Sequence, residues 1–130
     1  MPRTCRHALG EMTDRKEVAL RYFRGRGFSQ YGADGYLWAI FAALGSASKG
    51  TFVEVGVQRG CECNTRWLRE RCGWTGLYLD GQYEDPGINL RREVLNAANA
   101  VDVFRKWGVP SRFDLLSIDV DDQDWHVWRA

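Results

Sequence analysis

The stretch Thr51 to Gly60, TFVEVGVQRG, constrains the fold of this chain more than any other. Phe52, Val53 and Val55 make a short, nearly continuous apolar run, the pattern of a strand buried on both faces of a parallel sheet. Gly56 and Gly60 follow at once, and Glu54 sits inside the strand end. Glycine lets the backbone turn tightly and lets a ligand approach the main chain with no Cβ in the way. A dinucleotide fingerprint reads G-x-G-x-x-G, and its middle glycine gives the pyrophosphate access to the helix N-terminus. Gln58 stands at that middle position. The loop therefore reads either as a ligand loop of another kind or as a tight strand-to-helix turn, which any α/β protein can hold.

The rest of the chain describes one small α/β protein. Its 130 residues are 45% apolar and 27% charged, an ordinary globular composition, and a chain of this size buries roughly two-thirds of its unfolded surface. Residues 1–50 read as an N-terminal helical segment and 51–130 as the core. The net charge of +1 creates no field for nucleic acid or an anionic membrane. MPRTCRHALGEM has no apolar signal-peptide region, and the run Tyr36 to Leu44 is half the length of a membrane span. These features predict a soluble, cytoplasmic protein. Cys5, Cys61, Cys63 and Cys72 form no C-x-x-C pair, which speaks against zinc and predicts free thiols in a reducing compartment.

Helices are expected over Asp14 to Gly25, from Tyr36 to Leu44 with Gly45 just past the end, from Cys61 to Cys72 before Gly73, from Asn99 or Asp102 to Trp107, and from Gln123 to the last residue. Strands are expected over Thr51 to Val55, Gly76 to Leu79, Arg92 to Leu95 and Phe113 to Val120. Strand, helix and strand alternate, so the expected fold is a partial doubly wound, Rossmann-like parallel sheet of about four strands with flanking helices.

Two carboxylate positions carry chemistry. Asp80 ends the second strand, about 20 residues beyond the glycine loop, where it can accept hydrogen bonds from the ribose hydroxyls of a nucleoside cofactor; as a surface residue it is simply a turn aspartate before Gly81. The end of the fourth strand holds Asp119, Asp121, Asp122 and Asp124. Such carboxylates repel unless geometry, water, a cation or a ligand relieves them. They are not an EF-hand loop, because Asp124 stands where that loop needs glycine and Ala130 where it needs glutamate. Strand alternation puts Asp119 and Asp121 on one face, with Asp122 turned to solvent.

The order FSQYGADGYLWAIF, TFVEVGVQRG, GWTGLYLDG and FDLLSIDVDDQDWHVW resembles the FkbM-like branch of class I S-adenosylmethionine-dependent methyltransferases over Phe28 to Trp128. The resemblance implies S-adenosyl-L-methionine as cofactor and O-methyl transfer to a small-molecule or unknown acceptor. Glu54, Gly56 and Gly60 would hold the methionine end of the cofactor, Asp80 its ribose, and Asn96 would lie near the adenine. Asn64 would bond the cofactor carboxylate or cap a helix. Asp119 and Asp121 are the expected catalytic residues, as base, metal ligand or substrate anchor. Relative to that family the sequence stops early, which predicts a core incomplete at its C-terminus, an open edge on the fourth strand and self-association through it. The alternative is a non-catalytic nucleoside-cofactor-binding or interaction fragment. A nicotinamide-binding domain comes last, because its middle glycine is missing.

Overall fold

A computed structural model describes residues 27–130, which fall into two compact units, one formed by 27–50 and 62–75 and the other by 51–61 and 76–130. The helix expected over Asp14 to Gly25 and the cysteine at position 5 lie outside the described residues.

In the first unit, helix α1 (Ala33–Ala43) begins after Gly32, whose φ of 76° is left-handed, and carries Asp34 in its first turn. The Asp34 carboxylate is fully buried. It accepts the backbone N–H of Phe28 and Ser29 and the Ser29 hydroxyl, while the Ser29 Oγ accepts the Asp34 N–H. That reciprocal pair satisfies donors that a helix start leaves open. Gly45, in the left-handed region, closes the helix by donating to Ala42. Helix α2 (Arg66–Cys72) is shorter than expected, starting five residues after Cys61, because Asn64 and Thr65 favour turns over helix interiors. It ends on left-handed Gly73. Trp74 then buries its ring edge-on to Phe41, centroids 4.6 Å apart, and donates its indole N–H to the Ala47 carbonyl at 2.9 Å.

Cys72 corrects one expectation: it is disulfide-bonded, not a free thiol. No helix among the described residues is long and apolar enough to cross a membrane.

The second unit holds an open sheet of four parallel strands in the order β3-β2-β1-β4: β1 (Thr51–Val55), β2 (Thr75–Asp80), β3 (Leu90–Arg92) and β4 (Leu115–Ile118). This is the α/β, partial doubly wound class expected. Register pairs Val55 with Ile118 across β1 and β4, and Asp80 with Arg92 across β2 and β3. The third strand lies two residues earlier than expected, since Pro86–Ile88 forms a single 3-10 turn that delivers Leu90 to the sheet. Helix α3 (Ala100–Lys106) links β3 to β4, and α4 (Asp124–Arg129) follows β4.

One sheet face is the core. Val53, Val55, Leu77 and Leu79 pack with Ala100 and Val103 of α3 and Val127 of α4, and Leu116, Ile118 and Phe104 lean on that cluster. On the opposite face Phe52 meets Tyr78, ring centroids 5.0 Å apart. Both faces of β1 are thus buried, as in a strand in the middle of a parallel sheet, with Glu54 the one charged side chain among them. The connection from β3 carries the chain back past β2 and β1, so β4 joins the far side of β1. Successive connections diverge on either side of the β1–β4 boundary, and at such a switch point the loops leave a crevice at the carboxyl ends of the strands.

Candidate functional site

The crevice is built from the loop that leaves β1. Gly56 has a φ of 83°, and a Cβ there would lie 1.7 Å from the Asp119 carbonyl oxygen. Its own N–H donates to Leu79 at 2.9 Å, while Asp119 N–H donates to Val55 at 3.0 Å. The glycine is therefore demanded by the protein's own backbone, where β4 passes against β1, and not only by a ligand. Two residues on, Gln58 adopts a φ of 51°. This is left-handed geometry that glycine takes at little cost and other residues rarely adopt. Gly60, buried and left-handed, closes the loop by donating to the Val57 carbonyl at 2.9 Å.

Asp80 ties this loop to the next one. Its Oδ2 accepts the Gln58 N–H at 2.7 Å, and its Oδ1 accepts the N–H groups of Gln82 at 2.8 Å and Tyr83 at 3.2 Å. Three backbone donors from two loops converge on one buried carboxylate. Arg59 lies over the Tyr83 ring at 5.2 Å, a second link between the same loops.

The third side comes from the residues after β3. Glu93 donates its N–H to the Asp80 carbonyl at 2.8 Å, and its carboxylate accepts from Lys106 Nζ and, at 2.8 Å, from Trp107 Nε1. The hydrogen bonds from Lys106 and Trp107, with the lysine charge, outweigh burial and hold the Glu93 carboxyl below the usual carboxylate range. Arg91 stacks over the other partner of Glu93, the Trp107 ring, at 4.9 Å.

The fourth side is the end of β4. Asp121 and Asp122 both have positive φ, 45° and 61°. Aspartate tolerates that region better than most residues, yet two in succession store strain. Asp124 steadies the turn by accepting the Val120 N–H at 2.7 Å.

Together these segments enclose a cleft of about 570 Å³, lined by Val55, Gly56 and Gln58, by Asp80 to Tyr83, by Glu93 to Leu95, and by Asp119 to Asp121. Of the residues singled out in the sequence, the structure brings Gly56, Asp80, Asp119 and Asp121 to this cleft. Asp122 is exposed and does not line it. Glu54 is buried within β1 opposite Ser117, below the loop. Gly60 shapes the loop from outside the lining. Asn64 belongs to the first unit. Asn96 also lies outside the lining, and its side-chain oxygen caps the approach to α3, accepting the N–H groups of Ala98 and Asn99. Glu93 is the lining residue that sequence reading missed. It directly follows a very short strand and becomes visible only when Lys106 and Trp107, thirteen and fourteen residues on, fold back to it.

The lining contains four carboxylates, Asp80, Glu93, Asp119 and Asp121, and neither lysine nor arginine. Such a cleft favours neutral or cationic ligands over anions. Among the described residues no group of three or more His, Cys, Asp or Glu side chains is placed to hold a metal ion. The chain matches no protein-family description, no curated protein and no solved structure.

Proposed function

We propose that the cleft binds the nucleoside cofactor S-adenosyl-L-methionine and that the chain is a methyltransferase domain acting on a hydroxyl acceptor. The observation that carries this reading is the charge of the lining, acidic and without basic side chains, at the switch point of a parallel sheet. S-adenosylmethionine supplies an activated methyl group on a sulfonium, a cation that such a lining suits. A pyrophosphate would meet only like charge there. The acceptor capacity of the site also fits one nucleoside: a carboxylate has about four acceptor positions, and Asp80 uses three on backbone N–H groups, which leaves room for a single ribose hydroxyl.

In this reading Asp119 and Asp121, which line the cleft, receive the proton of an acceptor hydroxyl or anchor it. Both are exposed, which favours a second reading, cofactor binding without transfer. Calorimetric titration of the whole chain with S-adenosylhomocysteine and with NAD separates these classes from a dinucleotide domain. Heat with S-adenosylhomocysteine alone is expected, and heat with NAD alone, or with neither, overturns the proposal. With an acceptor in hand, Asp121→Asn lowers transfer at least about tenfold while S-adenosylhomocysteine affinity stays close to the parent's; loss of both together would put Asp121 in cofactor binding instead, and a parent that binds S-adenosylhomocysteine but transfers to no acceptor fits the binding-only reading.

Among the described residues β4 pairs with β1 only, so it is a sheet edge. That position supports self-association through β4. Sedimentation at several concentrations reads it out, and a monomer throughout rejects it.

A further inference from the structure

We propose that Asp80 is a specificity-determining residue, an internal anion that occupies the cleft's phosphate-binding position and so closes it to phosphate-bearing ligands. The proposal deepens the nucleoside-cofactor reading of this cleft and rests on it for the identity of the ligand accepted. Converging backbone N–H groups at the start of a strand-to-helix loop are the device by which α/β proteins cradle phosphate. Here one such group, the Gln58 N–H of the loop after β1, converges with two from the loop after β2, those of Gln82 and Tyr83, and all three already point at the Asp80 carboxylate at 2.7 to 3.2 Å. Gln58 stands at the position of the middle glycine in a dinucleotide loop, and its backbone is left-handed. The donor geometry is thus present and its anion is supplied from within the chain. A ligand phosphate would have to displace a buried carboxylate and would face Glu93, Asp119 and Asp121 across the same lining. A nucleoside, or a nucleoside joined to an amino acid through a thioether or sulfonium, needs no such displacement.

The test follows the backbone N–H resonances of Gln58, Gln82 and Tyr83 while pyrophosphate is added at constant ionic strength to the parent and to Asp80→Ser. Serine removes the charge and shortens the side chain, which frees the three donors. The parent is expected to show no saturable change, and the variant a saturable shift at these three resonances with affinity at least about tenfold higher. A saturable shift in the parent overturns the proposal, as does a folded Asp80→Ser chain that takes pyrophosphate no better than the parent. Should Asp80→Ser not fold, the parent decides through a second pair of probes: adenosine monophosphate binding weaker than adenosine supports the proposal, and equal or tighter binding overturns it. Failure of the cofactor reading looks different. A parent that ignores S-adenosylhomocysteine while Asp80→Ser gains pyrophosphate leaves the internal anion standing and removes only the identity of the ligand.

Discussion

Where β1 and β2 end, two loops are tied through their backbones to one buried carboxylate, whereas where β4 ends, Asp119, Asp121, Asp122 and Asp124 stand exposed on a turn with two successive left-handed residues. The first side is fixed before any ligand arrives. Its donors are satisfied, so a ligand meets a preorganised surface. The second side carries strain, and its turn is held by the hydrogen bond that the Val120 N–H donates to the Asp124 carboxylate. Binding is best served by the rigid side, and contact with a variable acceptor by the looser one. The two sides meet where the Asp119 N–H donates to Val55 and the Asp119 carbonyl lies against Gly56.

That point gives the largest expected effect. Gly56→Ala puts a Cβ 1.7 Å from a backbone oxygen, at a φ of 83°. Backbone cannot give way as a side chain can, so β4 must shift off β1. The cost is roughly 3 to 5 kcal/mol, at the upper end for single substitutions. Gly108→Ala is the control in the same unit, with φ at 69° and nothing within 4 Å of the added carbon, and should cost about 1 kcal/mol of conformational strain. Urea midpoints compare them. Equal losses would mean that the two sides of the cleft are not in contact through Gly56.

Gly56 also marks how far the sequence could be read. The apolar run Phe52 to Val55 announced a central strand, and the glycine after it announced a tight loop, because both signals are local. Thr51–Val55 is found as expected, and Gly45 and Gly73 end their helices. The reason for Gly56 was not local. It lies in a residue 63 positions away, and no spacing rule reports which backbone will pass over a given Cα. Asn96 is the converse case, a plausible cofactor contact whose side chain is spent on its neighbours. Polar residues near a helix start have two uses, and the sequence does not rank them. Of the cysteines, Cys61 and Cys63 carry thiols as expected, whereas Cys72 misled, since the bond it makes is not written in the spacing of the thiols.

The next effect separates the β3 side, which is held by charge, from the loops held by backbone. Glu93→Ala removes an acceptor of the Trp107 indole and of Lys106 and should cost about 1 to 2 kcal/mol at neutral pH. The pH dependence carries the sharper signature. Because the folded chain holds this carboxyl below its ordinary value, its contribution is fully present above that ordinary value and is lost as pH falls through the depressed one. Glu93→Gln should therefore flatten the acid limb of the stability profile relative to the parent. Glu70 of the first unit also lies low: burial raises it, and Arg66 and Arg69 together outweigh the burial. Its acid loss remains in both proteins, and only the difference between them belongs to Glu93. Superimposable profiles would show that the β3 side owes nothing to this ion pair.

A smaller loss is expected on the looser side. Asp124→Ala leaves the Val120 N–H without its partner and, at a site open to water, should cost about 1 kcal/mol. Its effect on S-adenosylhomocysteine binding should be below twofold, while transfer should fall further as Asp121 loses its fixed position. An affinity loss as large as the transfer loss would place the β4 turn in the binding half of the cleft.

The smallest effects have the opposite sign. Gln58 and Asp122 both sit at positive φ, 51° and 61°, so replacing either by glycine removes a conformational penalty and adds the entropy that glycine loses on folding. For glutamine the penalty is roughly 1 to 2 kcal/mol and the entropic loss roughly 0.5 to 1, which leaves a net gain of about 0.5 kcal/mol. Aspartate bears the left-handed region more easily, so Asp122→Gly should come out near zero. Thermal unfolding of the two variants measures the difference. Gln58→Gly also separates two roles of that residue, because its backbone N–H still reaches Asp80 while its side chain leaves the cleft lining. A more stable chain with unchanged S-adenosylhomocysteine affinity would assign the rigid side wholly to backbone. A chain stabilised but weakened in binding would show that the Gln58 side chain contacts the ligand, and that this contact is what the strained geometry is kept for.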